Sequence, residues 1–173
     1  MAVEIWLAFL AATIIVLLIP GPTILVVVSH VLGGGRRTLW ATTPGVGLGD
    51  LTAMTASLAG AGAVLAASAE LFTALKLVGA LYLAWLGWKL FRSPGLGMDA
   101  APTGKTLSPH RRFLDAYVIT ALNPKGILFF VAFVPQFVDA SAPVFPQFAI
   151  MTATFVSLAM VNVLAWGVFA SVL

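Results

Sequence analysis

Three long stretches of this chain carry no Asp, Glu, Lys or Arg at all: Ile5–Gly35, Leu51–Ala69 and Ala140–Leu173. A helix that crosses a bilayer needs about 20 mostly apolar residues. Each stretch is near or above that length. Of the 173 residues, 61% are hydrophobic and only 9% are charged. Soluble domains carry about 25% charged residues. So few charges cannot cover the surface of a soluble fold this size. An ordinary cytosolic enzyme, a nucleic-acid reader and a disordered chain are excluded. What remains is an all-α, polytopic transmembrane helix bundle with the lipid bilayer as its first partner.

The basic balance does not point to nucleic acid. The pI is near 9.7, but the basic residues cluster at the ends of apolar segments, so topology explains them. There is no Cys, which excludes disulfides, iron–sulfur centres and thiolate metal sites. His30 and His110 lie near segment ends, away from any midplane relay. No carboxylate–His cluster, nucleophile elbow or Walker pattern appears. The expectation is a non-enzyme without metal or cofactor. The N-terminus holds Glu4 and no basic residue, and its apolar run continues to Leu32 without a small-residue cleavage site. It reads as a retained first span rather than a signal peptide.

Five apolar segments appear, at about 5–31, 41–66, 71–91, 113–135 and 146–170. Arg36 and Arg37 sit in the first loop; Lys89, Arg92, Lys105, Arg111 and Arg112 flank or occupy the third. The second and fourth loops hold only Glu70 and Asp139. The positive-inside rule makes the first and third loops cytoplasmic and the N-terminus extracytoplasmic. The run Gly33-Gly34-Gly35-Arg36-Arg37 reads as a flexible, basic inner turn. Trp6, Trp40, Trp88 and Trp166 fall near segment ends, where interfacial anchors belong. Lys76 is expected to snorkel to the outer face.

The Pro- and Gly-rich stretch 93–112 reads as a cytoplasmic linker. It separates a first membrane repeat of three spans, 1–92, from a second of two spans, 113–173. An offset of 103 residues aligns Ile24, Leu25 and Val28 with Ile127, Leu128 and Val131. It also brings Pro20 and Pro22 close to Pro124. Helices interrupted at corresponding places in two halves point to a transporter binding site.

Those interruptions carry the chemistry. Pro20-Gly21-Pro22 falls in the middle of the first span. Proline lacks an N–H and clashes with the carbonyl four residues back, so the carbonyls of Val16 and Leu18 are expected to lose their helical partners. Such breaks survive in a membrane only within protein or against a water-filled cavity. Asn123-Pro124-Lys125 breaks the fourth span and should free the carbonyl of Thr120. Lys125 lies 13 residues beyond Arg112, or roughly 20 Å along a helix, too far for easy snorkelling. An intramembrane cation at that depth implies a partner or a function.

Asp50 is the acid to match. It lies 13 residues beyond Arg37, the same separation, so the two charges are expected at similar depth as an ion pair. A purely structural salt bridge is the alternative reading of that pair. Gly45 and Gly49 are spaced as G-x-x-x-G, and Ala53, Ser57 and Gly60 extend the small-residue stripe. This permits close helix packing and would set Asp50 beside the broken helices.

These residues and their order resemble the LysE/RhtB family of bacterial amino-acid exporters. The matching pieces are Pro20-Gly21-Pro22, Gly35-Arg36-Arg37, Gly45…Gly49-Asp50, Gly79-Ala80-Leu81-Tyr82-Leu83 with Leu86-Gly87-Trp88, and Leu122-Asn123-Pro124-Lys125 followed by Phe129-Phe130 and Pro135-Gln136-Phe137. Asn-Pro-Lys with its two phenylalanines is the most specific piece. The resemblance implies an inner-membrane secondary exporter of small amino acids or related metabolites, built from two inverted three-helix repeats. Five spans are present here, so the expectation is that the sixth lies beyond these residues or comes from another protomer in a homo-oligomer, or that the second half is naturally shorter. The mechanism expected is proton-coupled antiport. Asp50 and freed carbonyls of the first span would receive the substrate ammonium, and protonation of Asp50 would be the coupling step. Lys125 and half-helix N–H groups would receive the carboxylate, and Asn123, Pro20, Gly21, Pro22, Pro124 and Gly49 would shape the site. The alternative is a non-transporting membrane scaffold, or a fragment that assembles with a partner.

Overall fold

The computed structural model describes residues 1–68, 107–139 and 141–172, with scattered positions between 70 and 92. Among the described residues every regular element is helical. The first expected segment is two helices, α1 (Val3–Leu18) and α2 (Pro22–Gly34), bent by 53° at the break between them. Ile19 adopts an extended backbone, as a residue before proline must. Pro22 occupies the first turn of α2, where its missing N–H costs nothing.

Helix α2 ends at Gly35, whose φ of 73° is left-handed and whose N–H donates to the Val31 carbonyl at 2.7 Å. Glycine is favoured there because a Cβ would be strained. A 3₁₀ turn, Arg36–Thr38, follows, and the Thr38 hydroxyl donates to the Gly35 carbonyl at 2.9 Å. The inner turn expected to be flexible is therefore a capped helix end running into a second short helix.

Helix α3 (Leu39–Ala67) runs for 29 residues. Its Gly45 and Gly49 face α4 (Pro109–Ala121). A Cβ on Gly45 would lie 2.6 Å from the Phe113 carbonyl oxygen, and one on Gly49 would lie 2.7 Å from the Thr120 Cβ. No larger residue fits that approach, so Gly45 and Gly49 serve close packing.

After Leu122 and Asn123 the chain restarts as α5 (Pro124–Leu128), a π-helical turn (Phe129–Phe133) and a 3₁₀ turn (Val134–Phe137). Helix α6 (Val144–Ala170) closes the bundle. Buried Gln147 anchors its entry: Nε2 donates to the carbonyls of Asp139 at 2.8 Å and Pro143 at 3.1 Å, while Oε1 accepts from the Asp139 N–H at 2.9 Å. Trp6 is more than an interfacial anchor, because its indole N–H donates to Thr154 at 3.1 Å and ties α1 to α6.

Pro109–Phe137 and Val144–Ala170 are each long and apolar enough to cross a membrane, and the bent α1–α2 pair makes a third span if it is taken as one. Helix α3 has the length of a span but dilutes its apolar residues with Gly, Thr and Asp50. The third expected span, 71–91, is described only at scattered positions, where Leu77 and Trp88 are helical. Lys76, Lys89, Lys105 and most of the linker lie outside the described residues.

Two apolar clusters fill the bundle. Phe9, Met54, Phe129, Phe130, Met151 and Phe155 belong to one. Ile24, Val27, Val31, Leu39, Val46 and Val163 belong to the other, toward the arginine-bearing first turn. The broken helices cross the joint between them.

Candidate functional site

Helix ends leave backbone groups without intrahelical partners, and the α1 break puts such carbonyls inside the protein. Lys125 takes two of them: its Nζ donates to the carbonyl of Ile19 at 2.6 Å and to that of Val16 at 3.2 Å. Asn162 of α6 takes a third, donating from Nδ2 to the Leu17 carbonyl at 3.1 Å. Gly21 lies alongside the Lys125 side chain, and a Cβ there would touch its Nζ at 3.4 Å.

The second break is satisfied differently. The Thr120 carbonyl, expected to be free, accepts from the Asn123 N–H at 3.1 Å. Asn123 also caps α5, its Oδ1 accepting from the Lys125 N–H at 3.1 Å. Its Nδ2 donates to the Thr23 hydroxyl at 3.1 Å, and the Thr120 hydroxyl donates to the same oxygen at 3.2 Å. Thr23 thus joins the start of α2 to the second break. Pro124, like Pro22, opens a new helix instead of kinking an old one.

Asp50 is 8% exposed, and its carboxylate accepts no hydrogen bond among the described residues. It faces a cavity of about 40 Å³ walled also by Gly21, Thr23, Asn123, Lys125 and Asn162. That space holds a few waters and no amino acid. Phe155 and Ala159 of one core cluster, and Ile24, Val46 and Val163 of the other, complete the wall.

Asp50, Asn123, Lys125 and Gly21 are thus brought to one cavity. Pro20 and Pro22 shape the break beside it, while Gly49 packs against Thr120 and the Tyr117 carbonyl. The direct ion pair expected between Asp50 and Lys125 is not formed: the described ion pairs are His30–Asp115 and Arg111–Asp115, and the two cavity charges stay beyond 4.0 Å. The reason is local. A lysine ammonium has three donors and no acceptor, and the unpaired carbonyls at the break satisfy it at shorter range.

Sequence reasoning missed Asn162 and Thr23. Asn162 had a signal, as an amide inside the apolar run Met160-Val161-Asn162-Val163-Leu164; polar side chains in such runs hydrogen-bond across helices. Thr23 carried none, because hydroxyl residues are common in these segments.

The arginine-bearing ends come together. His30 of α2 lies 3.7 Å from Asp115 of α4, which also pairs with Arg111 at 3.1 Å. The Arg112 guanidinium lies against Gly34. The first turn and the start of α4 therefore share one face of the bundle.

Comparison with known proteins shows the family. The family described as LysE type translocator matches residues 14–173. A protein of Vibrio cholerae named "Uncharacterized membrane protein" is 34% identical over 91% of this chain and 77% of its own length. A leucine efflux protein of an Enterobacter species is 33% identical over 78% of this chain. That match covers only 64% of the Enterobacter protein, just under two thirds. A further uncharacterized membrane protein, from Pseudomonas aeruginosa, is 32% identical over 98% of this chain and 77% of its own length. No solved structure matches the chain.

Proposed function

Since the chain belongs to the LysE type translocator family, we propose that it exports a small amino acid across the bacterial inner membrane as a proton-coupled secondary transporter. One observation carries this reading: an acid without a hydrogen-bond partner and a lysine at a broken helix face the same closed cavity between two core clusters. Buried ionisable groups in a membrane are costly and mark ion and substrate pathways.

The substrate is an α-amino acid with an apolar side chain. A zwitterion needs a cation site and an anion site. Asp50 and the carbonyl end of α1 suit the ammonium; Lys125 and the start of α2, which borders the cavity through Thr23 and Ile24, suit the carboxylate. Val46, Phe155, Ala159 and Val163 offer an apolar wall to the side chain. Leucine is the first substrate to test, because relatives at 33% and 32% identity are named leucine efflux proteins. Asp50 accepts the coupling proton when the ammonium is absent. The cavity of about 40 Å³ corresponds to a closed state, and the bends at Pro20, Pro22 and Pro124 act as hinges for opening. The arginine-bearing face is cytoplasmic and the N-terminus extracytoplasmic.

Labelled-leucine counterflow in proteoliposomes tests the reading. The unsubstituted protein is expected to exchange leucine and to accumulate it against a gradient when a proton gradient is imposed. Asp50→Asn is expected to lose the gradient-driven part. Unchanged dependence on the proton gradient in Asp50→Asn would remove the coupling role, and no exchange of any apolar amino acid by the unsubstituted protein would remove the export reading.

A further inference from the structure

The cation that holds the break belongs to the protein itself. Three consecutive or near-consecutive carbonyls, those of Val16, Leu17 and Ile19, are capped by donors from two other elements: Lys125 at the start of α5 and Asn162 in α6. An ammonium bound to main-chain carbonyls is the same chemistry that an amino acid's own ammonium presents. Gly21 leaves space beside that ammonium that any side chain would narrow.

We propose that the Val16–Ile19 carbonyl end is the substrate's ammonium subsite, and that in the closed state Lys125 fills it as a built-in stand-in, latching the two broken helices together until a substrate displaces it. This rests on the export reading above and deepens it. Lys125 bridges α1 and α5, whereas an ammonium on the same carbonyls, with Asp50 of α3 beside it, does not itself tie α1 to α5. Replacing one by the other therefore keeps the carbonyls paired while releasing the link between the helices. The displaced Lys125 is then free to meet the substrate carboxylate while the ammonium faces Asp50, so each buried charge gains a partner. The empty carrier stays shut because its own lysine occupies the site.

The natural absence of cysteine makes the test direct. Ala159→Cys puts one thiol on the cavity wall, and its labelling by a water-soluble thiosulfonate in membrane vesicles reports opening. With Lys125 present, labelling is expected to be slow. Methylammonium, which has N–H donors, should accelerate it; tetramethylammonium, with the same charge and no donors, should not. Adding Lys125→Met is expected to raise the unliganded rate by about tenfold or more, as loss of a charge-assisted hydrogen bond would, and to abolish the methylammonium effect. Equal acceleration by the two cations, or no acceleration by either, overturns the proposal, as does an unchanged rate in Lys125→Met. Should Lys125→Met not fold, the methylammonium and tetramethylammonium rates in Ala159→Cys alone still decide, because they are read with Lys125 in place. None of these readouts requires transport. A latch that passes them in a protein without leucine counterflow would keep this inference and reject export, while counterflow with a failed latch would do the reverse.

Discussion

At the scale of single residues, what a glycine touches separates structure from function. Gly49 has no space for a Cβ, which would lie 2.7 Å from the Thr120 Cβ and 2.8 Å from the Tyr117 carbonyl oxygen. Backbone cannot step aside cheaply, so Gly49→Ala is expected to cost about 1–3 kcal/mol as overpacking. Gly60→Ala meets nothing within 4 Å and should leave the melting midpoint in detergent unchanged or slightly higher. A similar midpoint for the two variants would contradict the close approach. The G-x-x-x-G spacing made this packing legible. The partner of Lys125 was not legible: the break marked the Val16 carbonyl correctly, but the side chains also reach Leu17 and Ile19 rather than the expected Leu18.

Asp139 provides a residue-scale pH effect outside the spans. The Ser141 hydroxyl and the Ser141 N–H both donate to its carboxylate and hold it below the ordinary value of 3.8. A depressed carboxylate stabilises the folded turn above the ordinary value, and that contribution is lost as pH falls through the lower folded value. Amide exchange at Ser141, corrected for intrinsic rate, is expected to lose protection below about pH 4. Ser141→Ala should weaken protection even at neutral pH and flatten its dependence on acid.

Among the elements, the aromatic layer carries the argument furthest. Phe129 and Phe130, part of the most specific piece of the family resemblance, are fully buried. Phe155 packs edge-on against Phe130 at 4.7 Å and also walls the cavity. One side chain thus joins core packing to the site. Phe155→Ala is expected to cost about 3–5 kcal/mol and to enlarge the cavity, while Phe155→Leu should cost less and shift export toward bulkier side chains. Competition by a series of amino acids in the counterflow assay checks the shift, and identical selectivity in the folded variant would place the substrate elsewhere. The helices themselves were largely legible, since hydrophobic length and proline position set α1, α2, α3 and α6 within a few residues. The π-helical turn at Phe129–Phe133 was not, since its rings pack on Phe9 and Phe155 of other elements, contacts that the local sequence does not show.

For the whole molecule, the same charges that order the sequence order the bundle. Arg36, Arg37, Arg111 and Arg112 fall on two segments that the His30–Asp115 contact draws to one face. The Asp139–Pro143 turn, free of basic residues, lies at the other end of α6 from Leu39, which packs on Gly167. Opposite ends with opposite charge bias are what the proposed orientation rests on under the positive-inside rule. In a chain without cysteine, Arg37→Cys is expected to react with a membrane-impermeant maleimide only in everted vesicles, and Ser141→Cys only in intact spheroplasts. The reverse pattern would invert the orientation, making the Phe155 side of the cavity the cytoplasmic entrance and the His30–Asp115 contact the outer closure. Labelling of both positions from the same side would instead break the assignment of the two turns to opposite faces. Because the Lys125 latch lies between these two closures, the orientation also decides from which compartment a substrate ammonium must first arrive to release it.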